Sequence, residues 1–102
     1  MSKRVVNLRA FGATMTRRDP SILPPDVERI DRLTVWGNPV HMDDFHGPKA
    51  QRRAMAIAEY RGILAILLAD NPAFLEPLRG KRLACWCAPL PCHGDVIAEF
   101  VP

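Results

Sequence analysis

The chain has 102 residues, 48% apolar and 25% charged, the makeup of one small globular domain with enough apolar surface to bury a core. Its formal net charge of +3 is concentrated at one end. Lys3, Arg4, Arg9, Arg17, Arg18, Arg29 and Arg32 all precede residue 33, with no lysine/arginine block and no interleaved aromatics. That pattern argues against extended duplex binding and for attraction of a smaller anion. The chain lacks the run of about eighteen apolar residues that a membrane helix needs. Met1–Arg9 is basic without the apolar core of a secretory signal. Three cysteines, an odd number, argue against a disulfide framework and for a reducing, cytoplasmic setting.

In chain order, Arg4–Leu8 reads as a short strand, and Phe11–Pro25 as an irregular stretch broken by Gly12, Pro20, Pro24 and Pro25. Val27–Val35 has room for one or two short strands. Trp36-Gly37-Asn38-Pro39 is a turn signal, because Gly and Asn accept unusual backbone angles and Pro cannot continue a ladder. Val40–Gly47, with His41, Asp43, Asp44 and His46, reads as a solvated loop. A long helix is predicted over Pro48–Ala69, with Pro48 at its first position. Ala54, Ile57, Tyr60, Leu64 and Leu67 or Leu68 repeat at helical spacing. Ile63–Ala69 is apolar all round, so that end is expected to be the most buried.

A short helix over Pro72–Leu78 and a strand over Lys81–Cys87 follow. In the strand, Leu83, Cys85 and Cys87 share one face, with Ala84 and Trp86 on the other. Both faces are apolar, as in an inner strand covered on both sides. Val96, Ile97, Phe100 and Val101 mark a C-terminal helix from about His93. The order predicts a single α/β domain over residues 1–102. It is small and Rossmann-like, with an at least partly parallel sheet, a long central helix and a C-terminal helix.

All three cysteines lie in Cys85-Trp86-Cys87-Ala88-Pro89-Leu90-Pro91-Cys92-His93-Gly94-Asp95. Cys85, Cys87, Cys92 and His93 equal in number the ligands of a tetrahedral zinc site. They come, however, from one short segment and not from two separated knuckles, so neither a metal nor another cofactor is expected. A Cys85–Cys87 disulfide is disfavoured, since same-face strand residues lie roughly 6.6 Å apart. Cys87–Cys92 across the turn is more feasible.

The remaining reading is a ligand or catalytic site. Cys87 leaves a strand end, and Cys92 and His93 open a helix whose unpaired N–H groups attract anions and favour thiolates. There His93 is the candidate acid–base, and Cys87 or Cys92 the nucleophile. Asp95 either orients His93 or favours the helix start. Asn7, Arg9, Arg32, Trp36 and Asn38 supply amide, guanidinium and indole groups for contacts with a ligand. If the first and last strands are parallel, Asn7, Arg9 and Cys87 reach one edge of the sheet.

Val5-Val6-Asn7-Leu8-Arg9, Trp36-Gly37-Asn38-Pro39 and the stretch from Leu78-Arg79-Gly80-Lys81 to Asp95 resemble the bacterial and phage family called domain of unknown function 4326. The chain departs from that pattern at Asp31, where the family commonly has Gly, and at Val40, where Phe is usual. The cysteine-to-helix motif is also similar to domain of unknown function 488, which usually has Arg where this chain has Gly94. That likeness implies a Rossmann-like sheet with a site at the strand-to-helix turn.

Two functions follow as expectations. The first is a cleft at the strand ends that binds, or also processes, a nucleotide-like small molecule or a single nucleic-acid base, away from any membrane. The second is a non-enzymatic phage or bacterial protein that binds a host protein, its Cys/His cluster being core or a structural zinc site.

Overall fold

The computed structural model describes residues 4–13 and 23–102. The remainder of the irregular Phe11–Pro25 stretch, with Arg17 and Arg18, and Lys3 lie outside the described residues. Three short strands, β1 (Val5–Asn7), β2 (Val27–Arg29) and β3 (Arg82–Cys85), form a sheet of order β1-β3-β2. Both pairings are parallel, with Val5 opposite Leu83, Asn7 opposite Cys85, and Arg29 opposite Ala84. The α/β class and the parallel sheet agree with the sequence reading. Val27–Val35 holds one strand, and β3 stops at Cys85, two residues before the expected end.

β3 is central because its sequence is apolar on both sides. Leu83 and Cys85 enter a core with Ile30, Tyr60, Leu64, Leu75, Leu78, Val96 and Ile97. Ala84 faces a second, smaller core with Leu8, Ala13 and Val27, against which Trp86 packs. Alternation carried one residue past β3 thus puts Cys85 and Trp86 on opposite sides of the sheet.

Helix α1 (Lys49–Asp70) is the long helix, starting one residue later than expected, with Pro48 at its cap and not at its first position. Ala56, Tyr60 and Leu64, each four residues apart, are its buried stripe, flanked by the partly buried Ile57 and Leu68. The expectation for the C-terminal end of α1 fails. Ile66 is 72% and Leu67 36% exposed. A helix packed by one stripe buries one residue per turn, and an apolar run does not change which face meets the sheet.

Pro72–Leu78 contributes a single 3₁₀ turn at Glu76–Leu78, with Pro77 within it. Helix α2 (His93–Phe100) buries Val96 and Ile97 against the sheet. Among the described residues, no helix is long and apolar enough to cross a membrane.

Candidate functional site

The parallel pairing of β1 and β3 puts Asn7 and Cys85 side by side at the carboxyl edge of the sheet. Beyond Cys85 the chain passes Trp86 and Cys87 and turns, with the Leu90 N–H bonded to the Cys87 carbonyl at 2.8 Å. It then crosses a cis Ala88–Pro89 peptide and reaches Cys92. Asn7 holds this turn. Its Nδ2 donates to the carbonyls of Trp86 at 2.9 Å and Ala88 at 2.7 Å. Its Oδ1 accepts from the Arg9 backbone N–H.

The turn brings the three cysteines together. Their Sγ atoms all lie within 4.8 Å of one another, and Cys85 and Cys92 are 3.1 Å apart. The spacing argument against a common ligand set therefore does not survive the geometry. Cys85 and Cys92 are buried and Cys87 is half-buried. Hydrogen bonds from Cys85 and then Cys92 draw the Cys87 thiol well below its usual range, with help from the positive charge of Arg53. The same contact with Cys87 pushes Cys85 up to about 11, and its two sulfur neighbours raise Cys92 further. Three sulfurs this close give up one proton readily and resist losing a second, because a second thiolate would face the first.

Cys92 also starts α2. Its sulfur accepts from the Gly94 N–H at 3.3 Å, and its own N–H donates to Asp95 Oδ2 at 3.0 Å, a reciprocal cap. Asp95 thus bonds the helix start and not the His93 ring. His93 is 8% exposed, and its Nε2 lies 2.7 Å from the Ile30 carbonyl. A carbonyl can only accept, so Nε2 carries the proton. The ring meets Tyr60 edge-on at 5.2 Å, and burial pushes its pKa down. His93 is therefore a neutral donor that ties α2 to the end of β2.

The other predicted contacts are also engaged within the fold. Asn38 is buried, bonded to the Ala56 carbonyl and the Val40 N–H. Arg32 spans the loop, from Nε to the Asn38 carbonyl, from one terminal nitrogen to the Val40 carbonyl and from the other to His41 Nδ1. The Trp36 indole donates to the Phe74 carbonyl, while its own carbonyl accepts from Tyr60. Arg9 lies over the Trp86 ring at 5.3 Å, on the other side of the sheet from Cys87.

Two glycines of these motifs serve packing. Gly37 has an ordinary backbone angle, so its expected role as an unusual-angle turn residue does not hold. A Cβ there would come within 2.6 Å of the Arg32 Cα and the Asp31 carbonyl oxygen. At Gly94 a Cβ would meet Ile30 at 2.9 Å and Val5 at 3.1 Å, where the start of α2 presses on the sheet. Gly37→Ala forces backbone apart, and we expect a loss of about 1–3 kcal/mol in urea unfolding. An unchanged midpoint would show that the loop yields freely.

One contributor was missed by sequence reasoning. An open groove of about 380 Å³ runs between α1 and the thiol turn, with Ala50, Ala54 and Ala58 along the helix and Leu90 and Pro91 opposite. Arg53 and Arg61 border it. Arg61 is paired with Glu99 at 2.7 Å, whereas Arg53 forms no ion pair among the described residues and acts electrostatically on Cys87. Only its place on an amphipathic helix was visible beforehand.

The family model for Domain of unknown function (DUF4326) matches residues 14–102. The chain belongs to that family. Over 75 residues this DUF4326 domain is 43% identical to an uncharacterized 12.4 kDa protein in the nrdA-td intergenic region of Enterobacteria phage T4. The match covers 71% of this chain and 64% of that protein, so the domain spans less than two thirds of that curated relative. No solved structure matches it. The thiol turn and the Trp36–Asn38 loop both fall within the matched residues.

Proposed function

We propose that this domain binds a nucleotide-like anionic small molecule, or a single base of a nucleic acid with its adjoining phosphate, in the groove beside the thiol turn. The observation that carries the reading is Arg53. It is a cation without an ion-pair partner among the described residues, set between an apolar groove and the half-buried Cys87. The alanine stripe of α1 leaves a shallow apolar bed for a flat ring, and the guanidinium suits phosphate oxygens. The groove volume is within the usual range for small-ligand sites. Cys92 and His93 are buried and hold α2 in place, so the group that borders the groove and is free to meet a ligand is Arg53, with the half-buried Cys87 within reach of its charge.

The test is titration of the full chain with adenosine and guanosine mono- and triphosphates, followed by calorimetry. Arg53→Ala is expected to weaken binding by about 10- to 100-fold, since a charge-assisted hydrogen bond contributes about 1.5–3 kcal/mol. Arg9→Ala, on the other side of the sheet, is expected to leave affinity unchanged. Loss of binding in Arg9→Ala but not in Arg53→Ala would move the ligand to the Trp86 side and overturn the reading. So would no binding of any nucleotide by the parent chain.

A further inference from the structure

We propose that Cys85, Cys87 and Cys92 hold one zinc ion as a three-thiolate site whose fourth position opens toward the groove. The inference stands whether or not a nucleotide binds there.

The first support is distance. Four ligands at about 2.3 Å around zinc place thiolate sulfurs about 3.8 Å apart. The 3.1 Å between Cys85 and Cys92 and the 4.8 Å limit on the whole set bracket that value. Shifts of less than about 1 Å would complete the geometry. Sulfurs this close surround a single ion and leave no room for a multi-iron cage.

The second support is donor chemistry. Among the described residues, the converging donor atoms are three sulfurs with no carboxylate. Soft thiolates select zinc over magnesium or calcium, which require oxygen.

The third support is the setting. Cys85 and Cys92 are buried, while Cys87 is half-buried and feels the charge of Arg53, which borders the groove. The Gly94 N–H already donates to the Cys92 sulfur, a contact that stabilises a thiolate at the start of α2. Zinc with three thiolates carries one net negative charge, and Arg53 stands beside it. Binding releases the thiol protons to solvent, and the open position takes water or an added ligand. Asn7 acts from outside the donor set: by fixing the Trp86 and Ala88 carbonyls it sets where Cys87 projects.

The test uses the full chain, reduced, treated with chelator and then loaded with Zn²⁺ or Co²⁺. The expected result is one ion per chain by elemental analysis. With Co²⁺, tetrahedral ligand-field bands and sulfur charge-transfer bands should appear. Cys87→Ser and Cys92→Ser are each expected to weaken Co²⁺ affinity at least about tenfold. Serine is itself a good helix cap, so Cys92→Ser should keep the fold, which far-UV circular dichroism checks. Added imidazole should shift the Co²⁺ bands if the fourth position is open, and an unmoved spectrum would overturn that part. Less than one ion bound by the parent chain at micromolar metal, or full affinity in both folded serine variants, would overturn the site.

Discussion

Leu64→Ala is expected to lower stability by about 2–5 kcal/mol, whereas Leu67→Ala, three residues on, should cost well under half as much. Leu64 is fully buried on the α1 stripe with Tyr60, in the core shared with Ile30, Leu83 and Ile97. Truncating it removes apolar contact and leaves a cavity bounded by the sheet and two helices. The surrounding side chains are themselves packed against one another, so they can collapse inward only in part. For a domain with a total stability of about 5–15 kcal/mol, the loss is a large share. Leu67 is 36% exposed, and its truncation gives up a contact that water already partly makes. Urea unfolding at constant slope measures both. Equal costs would mean that α1 is rotated from the position described.

That contrast marks where the sequence stops being informative. Leu83, Ala84 and Cys85 announced an inner strand because period-two alternation with both faces apolar has few other uses. Tyr60 and Leu64 announced a packed helix for the matching reason at period 3.6. Ile63–Ala69 carried no such contrast: where every residue is apolar, the pattern cannot say which face has a partner.

The thiol turn shows a different gap. That Cys87 and Cys92 share a turn was visible. That their sulfurs meet Cys85 was not, because the meeting depends on Asn7, from the opposite end of the chain, clamping the Trp86 and Ala88 carbonyls. His93, Asn38 and Arg32 looked like ligand contacts because polar side chains near loops have the same appearance when they bond carbonyls of their own fold. Gly37 gave a turn signal for the wrong reason, since close backbone approach leaves no trace in a single sequence. Arg53 was hidden because its value lies in what it faces across the groove.

Asp31→Ala should be the second costly substitution, at about 3 kcal/mol near neutral pH. Asp31 is a buried carboxylate, 5% exposed. Arg29 donates to both its oxygens, at 3.0 and 2.9 Å, and the Trp86 indole N–H donates to Oδ2 at 3.1 Å. The Leu33 N–H completes the set at 3.3 Å. The carboxylate thereby ties the end of β2 to the residue after β3, beneath the edge that carries the thiol turn. Removing it deprives the Trp86 indole of its acceptor in a half-buried place and takes a counter-charge from Arg29.

The effect has a definite pH sign. Burial opposes ionisation of Asp31, but the hydrogen bonds from Arg29 and Trp86 outweigh it, so its pKa falls below the ordinary 3.8. A group whose folded pKa is depressed stabilises the fold above its unfolded value, and the contribution is lost as pH falls through the folded value. The gap between parent and Asp31→Ala should therefore be constant from pH 7 down to about pH 4 and narrow below it. Unfolding by urea at a series of pH values reads this directly. A gap that stays constant in strong acid would mean that the cost comes from the lost volume of the side chain and not from its charge.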